Sequence, residues 1–113
     1  MNALRVMLIL MLLVLTVYTI IVIADYGMVL FQVFFGDMAR MNWAGQFNLD
    51  FMLMLMLSAL WVSWRHHFSA AGLALGVAAF FGGAGFLGIY LLTQTFLTEG
   101  NVSEMLIGDR ANA

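Results

Sequence analysis

Residues 6–97 form a nearly continuous run of apolar side chains, interrupted at residues 25–50 and again at residues 65–69. The interruptions divide the run into three segments, at about 4–26, 48–65 and 69–97. An α-helix rises about 1.5 Å per residue, and the hydrocarbon core of a bilayer is about 30 Å thick, so each segment is close to membrane-spanning length. The pattern predicts an all-α integral membrane protein, with three transmembrane helices in one unit that covers residues 1–113.

A shorter apolar stretch lies in the loop between the first two spans. The sequence Asp25-Tyr26-Gly27 places a charge, an interfacial aromatic and a helix-breaking glycine at the end of the first span. Residues 28–40 then contain an apolar stretch too short to cross the bilayer, which favours a short helix lying in the headgroup region. The alternative is a first helix that continues to Phe35 and tilts strongly.

The starts and ends of the other segments also carry signals. Asn48 is a suitable N-cap for the second span, and Asp50 would then lie in the first turn, near the positive end of the helix dipole. The tail, residues 98–113, is polar and is expected on the surface, with a short helix at about 102–107. The first span exceeds the usual length of a signal-peptide core, so it is expected to be retained.

Composition strengthens the membrane assignment and removes several functions. The chain is 65% hydrophobic and 9% charged, and a soluble domain of 113 residues could not bury so much apolar surface. Its net charge of −2, without a basic run, gives no reason to expect nucleic-acid binding. No cysteine is present, which excludes disulfides and thiolate metal sites, and no catalytic constellation is recognisable. We therefore expect a protein that is not an enzyme and holds no metal.

The arginines suggest an orientation. Arg5 and Arg65 lie on one side of a three-span arrangement, whereas Arg40 and Arg110 on the other side are outnumbered by acids. The positive-inside rule then predicts a cytoplasmic N-terminus and a periplasmic C-terminus in a bacterial inner membrane.

The third segment is rich in small residues, which allow helices in lipid to approach closely. One face repeats alanine or glycine at every fourth residue, and Gly72 with Gly76 forms a GxxxG pattern. Packing within the chain would require one such face, and a second could contact a partner subunit or a flat pigment. The predicted packing face consists of Ala70, Gly72, Ala74, Gly76, Ala78, Gly82 and Gly83.

Polar and aromatic residues near the ends of the spans are the other candidate site residues. His66 or His67 could ligate the metal of a haem or chlorophyll-type cofactor, but adjacent residues on a helix point about 100° apart, so the two cannot chelate one ion from that helix. The alternative is a wet interfacial turn of Arg65 and the histidines beside Trp61 and Trp64. Asp25 and Asp50 are expected at the opposite boundary, where water reaches them.

Several features together resemble a family of small three-span bacterial membrane proteins catalogued as a domain of unknown function. The resemblance rests on three groups of residues: Gly27-Met28-Val29-Leu30-Phe31, Asn48-Leu49-Asp50, and Trp61 with Trp64-Arg65. This chain has His66-His67 where an acid followed by basic residues would be more typical. The resemblance supports the three-span topology and implies no activity.

The sequence leaves two main functional hypotheses. The favoured one is a non-catalytic accessory subunit that packs in the lipid bilayer against other membrane protein subunits, as in energy-converting or light-harvesting complexes. The alternative is a binding module for a lipophilic pigment or quinone, such as a carotenoid or chlorin, or a bound lipid against the third helix. A homo-oligomeric pore is a minor third interpretation.

Overall fold

The computed structural model describes residues 1–112, and of Asn112 only the backbone. Its elements in chain order are α1 (Asn2–Tyr26), α2 (Leu30–Ala39), α3 (Trp43–Arg65), α4 (Ala70–Leu97), α5 (Val102–Ile107) and a final 3₁₀ turn (Gly108–Asn112). The residues described contain no strand. The helices α1, α3 and α4 are long and apolar enough to cross a membrane. The predicted all-α class is thereby confirmed, as is the short helix in the tail.

The first helix ends where the sequence indicated. Gly27 adopts a φ of +75°, which a residue without a Cβ reaches at little cost, and its N–H donates to the carbonyl of Ile23. A separate helix, α2, follows, so the alternative of one continuous helix to Phe35 is wrong.

The third helix starts earlier than the sequence suggested. Asn42 caps α3, because its side chain accepts a 2.7 Å hydrogen bond from the N–H of Gly45. Asn48 lies inside the helix instead and donates from Nδ2 to the carbonyl of Phe34 in α2 at 3.1 Å. The predicted N-cap role of Asn48 and first-turn position of Asp50 are therefore wrong. The cap predicted at Asn48 is instead formed by Asn42. Because residues 46 and 48 are polar, the sequence indicated a later start for this helix.

The fourth helix is not straight. Gly83 has a φ of +56° and a ψ of −140°, which breaks α4 into a first arm (residues 70–82) and a second arm (residues 84–97). A Cβ on Gly72 would lie 2.7 Å from Cβ of His66, and Tyr90 Oη lies 2.7 Å from Nε2 of the same histidine. A straight helix would separate residues 72 and 90 by about 27 Å. The second arm therefore folds back toward the C-terminal end of α3.

The turn lies beside the middle of α3. A Cβ on Gly83 would lie 3.1 Å from Cζ of Phe51 and 3.5 Å from Cδ2 of Leu55. The first arm thus runs antiparallel to α3, and the second arm runs parallel to it. A small core of Val62, Ala79 and Tyr90 forms where α3 meets both arms. The structure therefore differs from the expected single continuous third span.

The N-terminal helix packs against the second arm of α4. Leu12 lies beside Gly88 and Leu15 beside Gly85, while Arg5 hydrogen-bonds Thr95. Only Leu8 of α1 is buried. Met1 also lies near Gly100, since a Cβ on that glycine would be 3.5 Å from Met1. The N-terminus and the start of the tail thus lie at the same end of the bundle, whereas the tail was predicted at the opposite end.

Candidate functional site

Arg65, at the last turn of α3, is the centre of the most connected polar group in the structure. Its side chain is buried, with 6% of the residue exposed. Two of its hydrogen bonds reach the second arm of α4: Nη1 donates to Tyr90 Oη at 2.9 Å and Nη2 to Gln94 Oε1 at 2.9 Å. Two more reach the tail: Nε donates to the carbonyl of Met105 at 2.8 Å and Nη2 to that of Glu104 at 3.0 Å. We call these five residues the tail junction.

The acceptors at the tail junction are all neutral. A guanidinium has five N–H donors, and four of them are satisfied here by a hydroxyl, an amide and two backbone carbonyls. The ion pairs of the described residues join Arg40 to Asp37 and His67 to Asp109, and so do not include Arg65. Because this buried charge depends on oriented dipoles, losing the tail would leave two of its donors without partners.

His66 extends the junction by one hydrogen bond. Its Nε2 lies 2.7 Å from Tyr90 Oη, which already accepts from Arg65. The tyrosine hydroxyl therefore has its own proton available for His66, which accepts it in the neutral form. Burial lowers the pKa of His66 below 6.5, and the neighbouring positive charge of Arg65 lowers it further. Geometry and charge thus both favour an uncharged His66.

Further contacts attach the tail to the end of α3. Trp61 Nε1 donates to the carbonyl of Leu106 at 2.9 Å. Arg110 donates to the carbonyl of Trp64 and places its guanidinium 4.0 Å from the centre of that indole ring. His67 hydrogen-bonds Asp109, and this contact lowers the pKa of the Asp109 carboxyl. The tail is therefore attached to one side of the end of α3, because Trp61, Trp64 and Arg65 lie within about 100° of one another around the helix.

These contacts change the interpretation of the predicted interfacial residues. Trp64 is 37% exposed and Trp61 is half-buried, consistent with residues near a boundary. Arg65, by contrast, is enclosed by the tail and is not a wet surface residue. Asp25 and Asp50 are both exposed at or toward the other end of the bundle.

The predicted histidine ligands have partners within the chain. Nε2 of His66 faces Tyr90, and Nε2 of His67 faces Asp109. Among the described residues, no group of three or more His, Asp or Glu side chains could hold a metal ion. The hydrogen bonds of the two histidines give each a structural role, and the ligand hypothesis stays a prediction.

The predicted packing face is divided by the structure. Gly72 and Gly76 pack against α3, where added Cβ atoms would collide with His66 and Ser63. Gly82 and Gly83 form the turn, and a Cβ on Gly82 would meet Phe86. Ala70 and Ala74 remain exposed, and Ala78 is half-buried. Much of this face therefore packs within the chain.

Tyr90 and Gln94 were not predicted as members of the site. They are four residues apart and so lie on one face of the second arm. Two hydrogen-bonding side chains at this spacing in an apolar helix could have indicated a buried polar partner. Their partner could not be identified, because a straight α4 would place them at the opposite end from Arg65.

A cavity of about 150 Å³ lies where α2, α3 and the turn of α4 meet. Its lining is aromatic and aliphatic, with six phenylalanines from the three elements. They are Phe31, Phe34, Phe35, Phe51, Phe80 and Phe81. The cavity can accept an apolar group and offers it no charged contact.

Comparison with protein-family models, curated proteins and solved structures finds no match to this chain. The resemblance to the family of unknown function therefore stays a prediction.

Proposed function

We propose that the chain is a non-catalytic accessory subunit of a larger membrane complex in a bacterial inner membrane. The observation that supports this proposal is the uneven use of its apolar surface. In α1, residues such as Val14, Tyr18 and Ile20 are more than 60% exposed, and only Leu8 is buried. In contrast, four hydrogen bonds from Arg65 join α3, the second arm of α4 and the tail at the tail junction. A bundle with one largely exposed apolar helix is suited to packing against a neighbour.

The same proposal includes an arrangement in the bilayer. The helices α1 and α3 cross in opposite directions, and α4 enters and leaves from one side as a half-depth hairpin. Three arginines (Arg5, Arg65 and Arg110) belong to the end that carries the N-terminus and α5, and Arg40 belongs to the other. The positive-inside rule favours a cytoplasmic location for the end with three arginines. The short helix α2 then lies toward the periplasmic boundary.

The accessory role is tested by extracting the protein from its native membranes in a mild detergent and separating the extract on native gels. The expected result is migration with other membrane proteins, in constant proportion, far above the 12.5 kDa of one chain. Migration as a single chain, or as an assembly of this chain alone, would contradict the proposal.

The phenylalanine-lined cavity favours a second candidate, a module that holds the apolar part of a quinone, pigment or lipid. Its walls come from three elements, so an occupant would contact α2, α3 and the turn of α4 together. The test is an absorption spectrum and solvent extraction of the purified chain. A stoichiometric ligand that Phe51→Ala and Phe34→Ala release, and that Phe96→Ala retains, would support this candidate. Extracts containing only bulk lipid would contradict it.

A further inference from the structure

The carboxylate of Asp50 lies on an exposed, otherwise apolar side of α3. Its neighbours along this side are Trp43, Phe47, Met54 and Leu57, which are between 60% and 76% exposed. We call these five residues the Asp50 stripe. In the described part of the chain, Asp50 belongs to neither ion pair.

The stripe faces away from α2 and from the first arm of α4. At about 100° per residue, Asp50 points about 140° from Gly45 and about 160° from Asn48. Gly45 and Asn48 both touch α2. The contacts of α3 with the first arm of α4, at Ala59, Ser63 and His66, lie on that same side. Trp61 and Arg65, which contact the second arm, point nearer to the direction of Asp50 but lie at least about 16 Å further along the helix. Asp50 itself is exposed, so no helix of the described chain covers it.

The position of Asp50 along α3 places it inside the hydrocarbon. It precedes Arg65 by 15 residues, about 22 Å of helix. With the cytoplasmic boundary at Arg65, the opposite boundary of a bilayer about 30 Å thick lies about 8 Å beyond Asp50. With the boundary at Trp61, that margin grows to about 14 Å. An aspartate side chain is too short to reach water over either distance.

Exposing a charged carboxylate to lipid at such a depth costs free energy, and an ion pair with a cation reduces that cost. A cation on a neighbouring helix supplies the opposite charge, and in a dry interface a close ion pair is strong. The large apolar neighbours on the stripe would exclude water around the pair. Arg40, the one arginine at this end of the chain, is already paired with Asp37. An ion pair with Asp50 would therefore use a cation from outside the chain.

We propose that the Asp50 stripe is the surface on which a transmembrane helix of another subunit docks, with an arginine or lysine of that helix against Asp50. This inference rests on the accessory role proposed above, and it adds the surface and the chemistry of the partner.

The test compares charge variants in native membranes. Asp50→Asn keeps the shape, Asp50→Leu suits lipid, and Asp50→Lys reverses the charge. Asp37→Asn is the matched control, since its carboxylate is paired within the chain. The readouts are the chain retained in carbonate-washed membranes and the fraction in the high-mass complex on native gels. We expect Asp50→Asn to reduce that fraction at least about tenfold, and Asp50→Leu and Asp50→Lys to abolish it, with membrane content maintained.

A photo-crosslinking amino acid at Met54, one turn from Asp50, identifies the neighbour. The captured segment should be an apolar helix of a different protein that carries an arginine or lysine. Changing that residue to aspartate should restore assembly of the Asp50→Lys variant.

The outcomes separate the two proposals. If the wild-type chain joins a complex and Asp50→Leu joins it equally well, the docking surface is wrong and the accessory role stands. Capture of a second copy at Met54, or of a helix without a cation, also overturns the proposed partner. If the wild-type chain migrates alone, the accessory role itself fails.

Discussion

At the scale of single residues, Arg65 is expected to dominate stability. Replacing it by methionine keeps the apolar stem but leaves Tyr90, Gln94 and two tail carbonyls without their donor. Because hydrogen bonds to a charged group contribute about 1.5–3 kcal/mol each, and part of that loss is recovered when the tail detaches, we expect Arg65→Met to lower the free energy of unfolding by about 2–4 kcal/mol. Denaturant titration in detergent micelles measures this change.

Arg40 is the matched control for that measurement. Its side chain is 74% exposed and pairs with Asp37 at 3.6 Å. An exposed ion pair is worth about 0–1 kcal/mol, so Arg40→Met should change stability by less than about 1 kcal/mol. Equal losses in the two variants would show that the tail junction has no special role.

His66 is expected to make the tail junction sensitive to acid. Its pKa in the folded chain is below 6.5, because burial and Arg65 disfavour the charged form. The unfolded chain therefore binds a proton first as the pH falls, and folding weakens below pH 6.5 down to the folded pKa. The tail groups facing the site are Asp109, which opposes this effect, and Arg110 near Trp64. Asp109 has a pKa lowered from 3.8, so it loses its charge at much lower pH.

The measurement is the free energy of unfolding at several pH values from 7.5 to 5. We expect wild-type stability to fall across this range, and that of His66→Asn to change less. A stability that rises on acidification would mean that His66 is charged in the folded protein.

At the scale of elements, Gly83 is expected to determine the reversal of α4. Its positive φ costs a residue with a Cβ about 1–2 kcal/mol, and the new atom would also approach Phe51 to 3.1 Å. We therefore expect Gly83→Ala to reduce the free energy of unfolding by at least about 1 kcal/mol. Gly85→Ala is the control, because its Cβ would meet Leu15 at 3.7 Å, an ordinary contact. If both substitutions are equally tolerated, Gly83 does not require its observed conformation.

The elements also show what the sequence could predict. The end of α1 and the bounds of α5 follow from local signals, namely Gly27 and the polar flanks of residues 102–107. The reversal of α4 does not, because glycines at 82, 83, 85 and 88 suit close helix packing as well as a turn. Because the reversal was not predicted, the tail junction was not predicted either. In a straight α4, Tyr90 and Gln94 would lie far from Arg65. The start of α3 was misplaced because Asn42 and Asn48 are equally good caps by residue type.

At the scale of the whole molecule, the lengths of the helices and the distribution of arginines point to one orientation. The 25 residues of α1 give about 38 Å, enough to cross, whereas each arm of α4 gives about 20 Å and returns. Asn2 and Ser103 should then lie on the cytoplasmic side, and Met41, which is 90% exposed, on the periplasmic side.

The absence of cysteine makes this orientation directly measurable. Single substitutions Asn2→Cys, Ser103→Cys and Met41→Cys can each be treated with a membrane-impermeant maleimide on intact spheroplasts and again after permeabilisation. We expect Met41→Cys to react in intact spheroplasts, and the other two only after permeabilisation. Because α4 reverses at Gly83, Ser103→Cys must behave like Asn2→Cys. If it reacts like Met41→Cys instead, α4 crosses the membrane as one span, and Arg65 cannot reach the tail that the structure places around it.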